Sequence, residues 1–269
     1  GFTDTRIVMQ GEEPMILILQ YIAKLFTKSL ESDEEMRFPL KGEFDSTKSY
    51  RLSKRRAMYD FTIATDWKRF DSQCHRNVIL AATSILLSGM SGKDKFNDRL
   101  IYLVQSSLIT KYVVLPPGLV YELNKGVPSG HPFTSLIDSY INIIFWCIIG
   151  YKIYGKDYAT KMDLYVYGDD ANVYMDYSPL LYKIDTIISD LGIKSDDILG
   201  TFHVNDLGYD YEMPDFLKRT YYYGYVQWNY SKLMDKLFYP SKNLGIVTHM
   251  EKLYNYVVTS PNDIELVDF

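Results

Sequence analysis

Two adjacent carboxylates, Asp169 and Asp170, stand between two runs of strand-forming residues in the stretch YVYGDDANVY, residues 165–174. Gly168 permits a tight turn, so this pattern predicts a β-hairpin with the aspartates at its exposed tip. Two carboxylates a few ångströms apart raise each other's pKa unless a cation neutralises them. A divalent metal ion is therefore the natural partner, and a solvated β-turn is the alternative.

A second pair of carboxylates lies upstream in TDWKRFDSQ, residues 65–73. Asp66 ends a run, YDFTIATDW, that alternates as a strand does, and Asp71 follows five residues later. A carboxylate at the end of a core strand is placed to face a site across the sheet edge. The alternative is a capped helix start, with Asp71 or Ser72 as the cap.

The third stretch is GVPSGHPFTSLIDSYIN, residues 126–142, in which glycines and Pro128 constrain a loop that leads into a helix. Thr134, Asp138 and Asn142 recur every four residues and form one polar stripe on an otherwise apolar helix. Buried polar groups need partners, so the stripe predicts a ligand or a facing loop. An internal hydrogen-bond network is the alternative.

The elements around these stretches predict an α+β fold, because helices and strands are mixed without a regular βαβ rhythm. Helical patterns cover PMILILQYIAKLF and QCHRNVILAATSILLSG, the second closed by Gly89, and a long apolar helix begins near Phe133. TKYVVLPPGLVYELNKG predicts two short strands around a turn. Ser178 and Pro179 are expected to open a further helix that stops at Gly192, with an inner face of Leu180, Leu181, Ile184, Ile187, Ile188 and Leu191.

The composition is that of a globular protein with a sizeable core, since 47% of the 269 residues are hydrophobic. The net charge of −5 gives no bulk attraction to a polyanion, so a nucleic-acid site must be a local patch. Cys74 and Cys147 supply neither a disulfide framework nor metal-ligand spacing, which favours a reducing compartment.

The first and last residues lead us to expect a segment of a longer protein, because the chain lacks an initiating Met and SPNDIELVDF gives no clear domain end. The start also lacks the pattern of a secretory signal. FTSLIDSYINIIFWCIIG is the most apolar run, but Asp138 and Asn142 interrupt it, and a buried helix is predicted.

The three stretches, in this order, resemble motifs A, B and C of the viral RNA-dependent RNA polymerases. DWKRFD, GVPSGHPFTSLIDS and YGDD are most similar to the polymerases of small double-stranded RNA viruses of the partitivirus and picobirnavirus type. TRIVMQGEEPMILILQY resembles the end of motif F, and PDFLKRTYYYG resembles motif E. The resemblance covers nearly the whole chain, and the joint match is far more specific than any one motif.

This resemblance implies the right-hand polymerase fold, with an antiparallel sheet in the palm. It divides the chain into partial fingers with the end of motif F (1–60), palm with motif A (61–90), a fingers insertion (91–128), palm with motifs B, C and D (129–215), and motif E with the start of the thumb (216–269).

The resemblance also implies the metal chemistry. Asp66 and Asp169 would coordinate two Mg²⁺ ions, with Mn²⁺ as a substitute, and Asp170 would assist. Asp71, Thr134 and Asp138 carry over onto the residues that read the ribose 2′-hydroxyl. Positive-strand RNA viruses commonly have Asn where this chain has Asp138.

Further positions carry over as contacts to nucleotide and RNA. Ser129 and Gly130 match the loop that contacts template and incoming nucleotide, and Arg6 matches the motif F arginine over the triphosphate. Lys194 is the candidate motif D general acid, with a solvated surface lysine as the alternative. Lys218 and Arg219 resemble the motif E basic pair near the primer backbone.

The partners implied are an RNA template and product strand, ribonucleoside triphosphates, the remaining fingers and thumb of the same polymerase, and a viral capsid protein, with no membrane. The host cytoplasm or the virion interior is the expected location. Two alternatives stay open: a reverse transcriptase, which would be expected to carry a bulky steric gate in the second part of motif A, and a non-catalytic RNA-binding protein that retains the fold.

Overall fold

The structure is a computed structural model, and it describes residues 13–31, 52–65, 67, 69–90, 95–115, 118–194, 198, 202–205, 215–217, 219–222, 225–228, 250, 251 and 254. Arg6, Asp66 and Lys218, which the sequence singles out, lie outside the described residues.

The described helices are α1 (Glu13–Glu31), α2 (52–56), α3 (Phe70–Gln73), α4 (Arg76–Leu87), α5 (Lys95–Ile109), α6 (Thr134–Tyr154), α7 (Tyr158–Lys161) and α8 (Ile184–Asp190). The apolar spacing of the sequence predicts α1, α4, α6 and α8, but not α5. The described strands are β1 (Phe61–Thr65), β2 (Lys111–Leu115), β3 (Leu119–Leu123), β4 (Met162–Tyr167), β5 (Asp170–Met175), β6 (Phe202–Val204), β7 (Arg219–Tyr222) and β8 (Tyr225–Trp228).

A four-stranded antiparallel sheet, in the order β4-β5-β1-β6, is the centre of the fold. The hairpin of β4 and β5 places Tyr167 opposite Asp170, and β1 places Thr65 opposite Ala171. The end of β1 therefore meets the hairpin tip at the same edge of the sheet. This arrangement of helices around an antiparallel sheet confirms the predicted α+β class.

The two faces of this sheet are covered differently, because side chains alternate along each strand. Ile63, Leu164 and Val173 point into the main core, which α4 and α6 complete. Tyr165 and Tyr174 belong to a smaller cluster on the other face with Leu52 and Phe216, and with Tyr59, Tyr167 and Leu217 at its edge.

Helix α6 passes through the main core and packs against α4 and β4. By length and composition alone, α6 and the short helical turns that follow it could cross a membrane. However, 56% of its most apolar 18-residue stretch is buried inside the protein. Ile137, Ile141 and Ile149 are fully enclosed, as the prediction of a buried helix requires.

Three local expectations need correction. The side chain that caps α4 is His75, whose Nδ1 accepts from the Asn77 amide, so neither Asp71 nor Ser72 is that cap. The helix after Pro179 begins as a single 3₁₀ turn, Leu181–Lys183, before α8. Leu180 is exposed, because this turn rotates it away from the core, whereas Leu181, Ile184 and Ile188 are buried as predicted.

Candidate active site

The tip of the β4–β5 hairpin is a two-residue turn formed by Gly168 and Asp169. Gly168 has φ +63°, a left-handed conformation that glycine adopts without steric strain. Among the described residues, the only non-glycine positions with positive φ are Arg69 and Leu217, so Asp169 keeps an ordinary backbone and the turn resembles type II′. Asp169 is exposed at this tip, as the sequence predicts.

The end of β1 lies beside this hairpin. The Thr65 hydroxyl donates to the carbonyl oxygen of Ala171 across the strands, at 3.3 Å. Thr65 immediately precedes Asp66 in the sequence, and Ala171 immediately follows Asp170. Strand β1 thus ends beside the aspartate hairpin, and motif A follows directly after it in the sequence.

The loop before α6 is docked against α3. The amide of Gly126 donates to the carbonyl of Cys74, and the amide of Val127 donates to the carbonyl of Asp71, both at 2.7 Å. Gly126 has φ +88°, and a Cβ atom there would lie 3.3 Å from the Asp71 carbonyl oxygen. The positive φ makes any other residue strained at this position, and the close approach of the Asp71 carbonyl adds to the preference for glycine.

The same docking joins two predicted site residues. The Ser129 hydroxyl donates to Asp71 Oδ2 at 2.9 Å, although 58 residues separate the two. Gly130 has φ +98° in the exposed part of this loop. The Thr134 hydroxyl lies 2.8 Å from the carbonyl oxygens of Pro128 and His131, so it stabilises the loop at the start of α6.

Asp138 is buried on α6, with 4% of its surface exposed. Burial, the charge of Asp71, a hydrogen bond with the Asp71 side chain and the charge of Asp169 all raise its pKa well above the usual value of a carboxyl. Each of these causes favours the protonated form of the carboxyl, which can donate a hydrogen bond to Asp71. Its Oδ1 atom is buried and has no hydrogen-bond partner among the described residues.

Helix α6 also holds the hairpin tip. The Ser139 hydroxyl accepts a hydrogen bond from the Gly168 amide at 2.7 Å. Asn142 Nδ2 donates to the carbonyl oxygens of Gly168 and Asp169, at 3.1 and 3.0 Å. Asn142 Oδ1 accepts from Trp67 Nε1 at 3.0 Å. Asn142 of the polar stripe thus belongs to an internal hydrogen-bond network that includes a facing turn, so these bonds fit both the facing-loop hypothesis and the alternative of an internal network.

Asp170 faces a different part of the chain from Asp169. Its Oδ2 atom accepts a hydrogen bond from the backbone amide of Leu217 at 2.8 Å. Leu217 has φ +52° in the turn that Phe216 and Arg219 close through reciprocal backbone hydrogen bonds. The segment that resembles motif E therefore begins directly against the second aspartate, and Arg219 starts the strand β7 that leaves this turn.

Lys194 lies near motif A through its backbone. Its amide donates to Gln73 Oε1 at 2.7 Å, and Gln73 Nε2 donates back to its carbonyl oxygen at 3.3 Å. Gln73 is two residues from Asp71. The side chain of Lys194 is exposed, so its location suits either a general acid or a solvated surface lysine.

The donor set suits a hard divalent cation. Asp169 and Asp170 supply carboxylate oxygens, the ligands that Mg²⁺ prefers, and the effects of Asp71 and Asp169 on Asp138 indicate concentrated negative charge. Within the described part of the chain, no group of three or more His, Cys, Asp or Glu residues is arranged to hold a metal ion. A complete ligand set would need the predicted Asp66.

Some residues at this site escaped the sequence reasoning. Trp67 and Ser139 were not singled out, although a polar residue directly after Asp138 in an apolar helix was a usable signal for Ser139. The hydrogen bond from the Leu217 amide to Asp170 could not be predicted from the sequence, because every residue except proline has a backbone N–H and the residue type gives no indication of it.

Comparisons with known proteins agree on one family. The model of the family described as viral RNA-dependent RNA polymerase matches residues 44–256. The chain is 25% identical over 146 residues to the non-structural polyprotein 1AB of Mink astrovirus 1, covering 51% of the chain and 10% of the polyprotein. It is 30% identical over 139 residues to the genome polyprotein of bovine enteric calicivirus NB, covering 49% of the chain and 6% of the polyprotein.

A solved structure shares the fold. It is an insertion-loop deletion mutant of the RNA-dependent RNA polymerase of a human picobirnavirus, with a TM-score of 0.61 and 13% sequence identity. The match covers 92% of this chain and 46% of that one. The chain therefore spans less than half the length of this polymerase and a tenth or less of the polyproteins.

A half-buried histidine, His131, lies in the loop before α6. His131 Nδ1 accepts from the Phe133 amide at 3.1 Å, which assigns the ring proton to Nε2, 2.9 Å from the Ser107 hydroxyl on α5. Burial lowers the pKa of His131 to about 4. Since the unfolded histidine has a pKa of about 6.5, the unfolded state binds more protons between these values.

We expect the free energy of unfolding to fall as the pH is lowered from 7 to 4, by up to about 3 kcal/mol from His131 alone. Urea unfolding of wild type and His131→Gln at several pH values measures this difference, since the variant keeps other titrating groups. Parallel pH profiles for the two proteins would show that His131 makes no such contribution.

Proposed function

The chain belongs to the viral RNA-dependent RNA polymerase family, and from this premise we propose that it is the catalytic core of an enzyme that synthesises RNA on an RNA template from ribonucleoside triphosphates by two-metal-ion nucleotidyl transfer. The enzyme class is that of an RNA-directed RNA polymerase. The finer assignments below, on metals, sugar choice and RNA contacts, are proposals of the same kind.

One observation carries the proposal: motifs A, B and C, distant in sequence, converge at one edge of the sheet. Asp71 of motif A accepts a hydrogen bond from Ser129 of motif B. The charges of Asp71 and Asp169 both raise the pKa of Asp138. Asn142 donates hydrogen bonds to the carbonyls of Gly168 and Asp169 in motif C. A protein that merely retained the fold would have no need to keep carboxylates so close, because their repulsion is unfavourable.

We assign the metal ligands to Asp66 and Asp169, with Asp170 assisting. Two bound Mg²⁺ ions would lower the pKa of the primer 3′-hydroxyl and neutralise the triphosphate and the leaving pyrophosphate. The chain's own contribution is alignment and charge placement, because phosphoryl transfer requires little covalent chemistry from the protein. The Leu217 amide supports the assisting role of Asp170, because it fixes the orientation of that carboxylate.

We assign ribose recognition to Asp71, Thr134 and Asp138. Protonated Asp138 has one donor oxygen and one acceptor oxygen, as an asparagine side chain has one donor and one acceptor group. Its donor would be directed to Asp71, and its buried Oδ1, which has no partner among the described residues, would accept from a ribose hydroxyl once the bound nucleotide reaches it. The 2′-hydroxyl both donates and accepts, so it is a suitable ligand for this pair. The raised pKa of Asp138 favours the neutral form, in which aspartate can take the hydrogen-bonding role of the asparagine that positive-strand RNA viruses commonly have at this position.

We assign the remaining contacts by position. Ser129 and Gly130 would contact template and incoming nucleotide, and Arg6 the triphosphate. Lys194 is the candidate proton donor to pyrophosphate, supported by the tie of its backbone to Gln73. Lys218 and Arg219 would contact the primer backbone, supported by the position of the Arg219 turn against Asp170.

The proposed partners are the RNA template and product, the nucleotides, the rest of the fingers and thumb, and a capsid protein. The acidic chain supplies little of the basic surface that holds RNA, so the other segments would supply it. Replication and transcription of a double-stranded RNA genome, in the host cytoplasm or the virion, is the finer proposal. It is supported by the similarity of motifs A to C to partitivirus and picobirnavirus polymerases.

Removal of the Asp169 carboxylate tests the mechanism. In the full-length polymerase, Asp169→Ala should lower RNA synthesis by about a thousandfold or more, equal to ~4 kcal/mol in activation free energy. The thermal midpoint should stay near that of wild type, because the side chain is exposed. Asp190→Ala, at an exposed position on α8, is the control and should retain activity. Activity of Asp169→Ala close to wild type would refute the assignment.

Sugar discrimination tests the role of Asp138. Asp138→Ala should reduce kcat/KM for ribonucleotides about tenfold more than for the matching deoxyribonucleotides, because the 2′-hydroxyl loses its partner. Asp138→Asn should remain within about threefold of wild type, because it is neutral and similar in shape. Equal losses for both sugars would reassign Asp138 to a structural network. A wild-type enzyme that prefers deoxyribonucleotides would favour a reverse transcriptase instead.

A further inference from the structure

Asn142 is fully buried in the middle of α6 and has three hydrogen-bond partners. The partners themselves fix the orientation of its amide, because the indole N–H of Trp67 can only donate and the two backbone carbonyls can only accept. Oδ1 must therefore face Trp67, and Nδ2 must face the turn. No other rotation of the amide satisfies all three groups.

The partners of Asn142 belong to two different motifs. The carbonyls of Gly168 and Asp169 are the backbone of the hairpin turn that displays Asp169. Trp67 is the residue directly after Asp66 in the sequence. One side chain thus connects the backbone around one proposed metal ligand with the neighbour of another.

The indole of Trp67 is itself held firmly. Its ring centroid lies 6.1 Å from that of Phe70, 6.4 Å from that of Phe145 and 5.9 Å from that of Trp146. With 2% of its surface exposed, the ring has little room to move. The only polar group of the indole is the N–H, which donates to Asn142 Oδ1, so this hydrogen bond joins the packed aromatic cluster to helix α6.

We propose that Asn142 is a positioning residue for the proposed metal ligand Asp169: its amide fixes the turn of Gly168 and Asp169 relative to Trp67 and thereby holds the Asp169 carboxylate in place for metal binding. This inference rests on the proposed function, since it concerns the metals of that reaction. Outer-shell partners of metal ligands commonly affect metal affinity by 10- to 100-fold. Mg²⁺ should be affected more than Mn²⁺, because it demands near-ideal octahedral geometry.

Two variants separate the connections in the full-length polymerase. Asn142→Leu removes all three bonds at similar volume, and Trp67→Phe removes only the indole bond while keeping an aromatic ring in the cage. Ile149→Ala is the control, because Ile149 is fully buried further along α6 and its side chain has no polar group that could form a hydrogen bond with the turn. It should lower the thermal midpoint without changing metal binding.

Metal binding is measured without turnover, by electron paramagnetic resonance titration of Mn²⁺. We expect Asn142→Leu to weaken Mn²⁺ binding by about 10- to 100-fold and Trp67→Phe by a smaller factor. In the double variant, Trp67→Phe should add nothing to Asn142→Leu, since the bond it removes is already absent. Hydrogen exchange in metal-free protein should quicken at residues 165–172 in Asn142→Leu and stay unchanged there in Ile149→Ala.

The outcomes distinguish the inference from the function on which it rests. Wild-type protein that neither binds Mn²⁺ nor synthesises RNA would refute the proposed function. Wild-type binding together with unchanged Mn²⁺ affinity in Asn142→Leu would overturn the inference alone. An equal loss of affinity in Ile149→Ala, at an equal drop in thermal midpoint, would also overturn it. If Asn142→Leu fails to fold, Trp67→Phe decides, and unchanged affinity in that variant counts against the inference.

Discussion

Repulsion between carboxylates that share one small volume is the constraint on which this structure depends. Asp71, Asp138 and Asp169 come from three separate parts of the chain, and the first and last raise the pKa of the middle one. Burial and the neighbouring charges raise the pKa of Asp138, which favours its protonated form and so relieves part of the repulsion. A divalent cation would relieve the rest, so the same crowding that opposes folding favours metal binding.

A rigid scaffold is needed to hold these groups together. The antiparallel register of β1, β4 and β5 brings the end of β1, which directly precedes motif A, to the hairpin tip. Helix α6 then contacts both through side chains that point in one direction, since Asp138 and Asn142 lie four residues apart. The pKa of Asp138 is raised by the charges of Asp71 and Asp169. Ser139 and Asn142 form hydrogen bonds with the backbone of the hairpin turn, and Ser129, in the loop before the helix, donates to Asp71. One buried helix thus contacts the other two motifs as well as carrying motif B, which explains why it is apolar on most sides and polar along one stripe.

Sequence reasoning recovered the parts of this arrangement that short-range patterns encode. The hairpin followed from Gly168 between β-branched and aromatic runs, and the helices followed from apolar spacing. The stripe of Thr134, Asp138 and Asn142 was visible, but its partners were not, because Trp67 is 75 residues from Asn142 and a buried indole looks like any core aromatic. Periodicity alone predicts Leu180 in the core, because it does not show that a 3₁₀ turn starts the helix. Asp66, Arg6 and Lys218 lie outside the described residues, and their roles stay predictions.

The central claim is that Asp66 and the aspartate turn share two metal ions, with the turn held by Asn142. Anomalous diffraction from crystals of the full-length polymerase, grown with Mn²⁺ and a non-hydrolysable ribonucleoside triphosphate, measures this directly. The account predicts two manganese peaks roughly 3.5–4 Å apart, with Asp66 and Asp169 among the residues that coordinate them. It also predicts that Asn142 keeps its bonds to the carbonyls of Gly168 and Asp169. Manganese bound elsewhere, or one ion held without Asp66, would contradict the account.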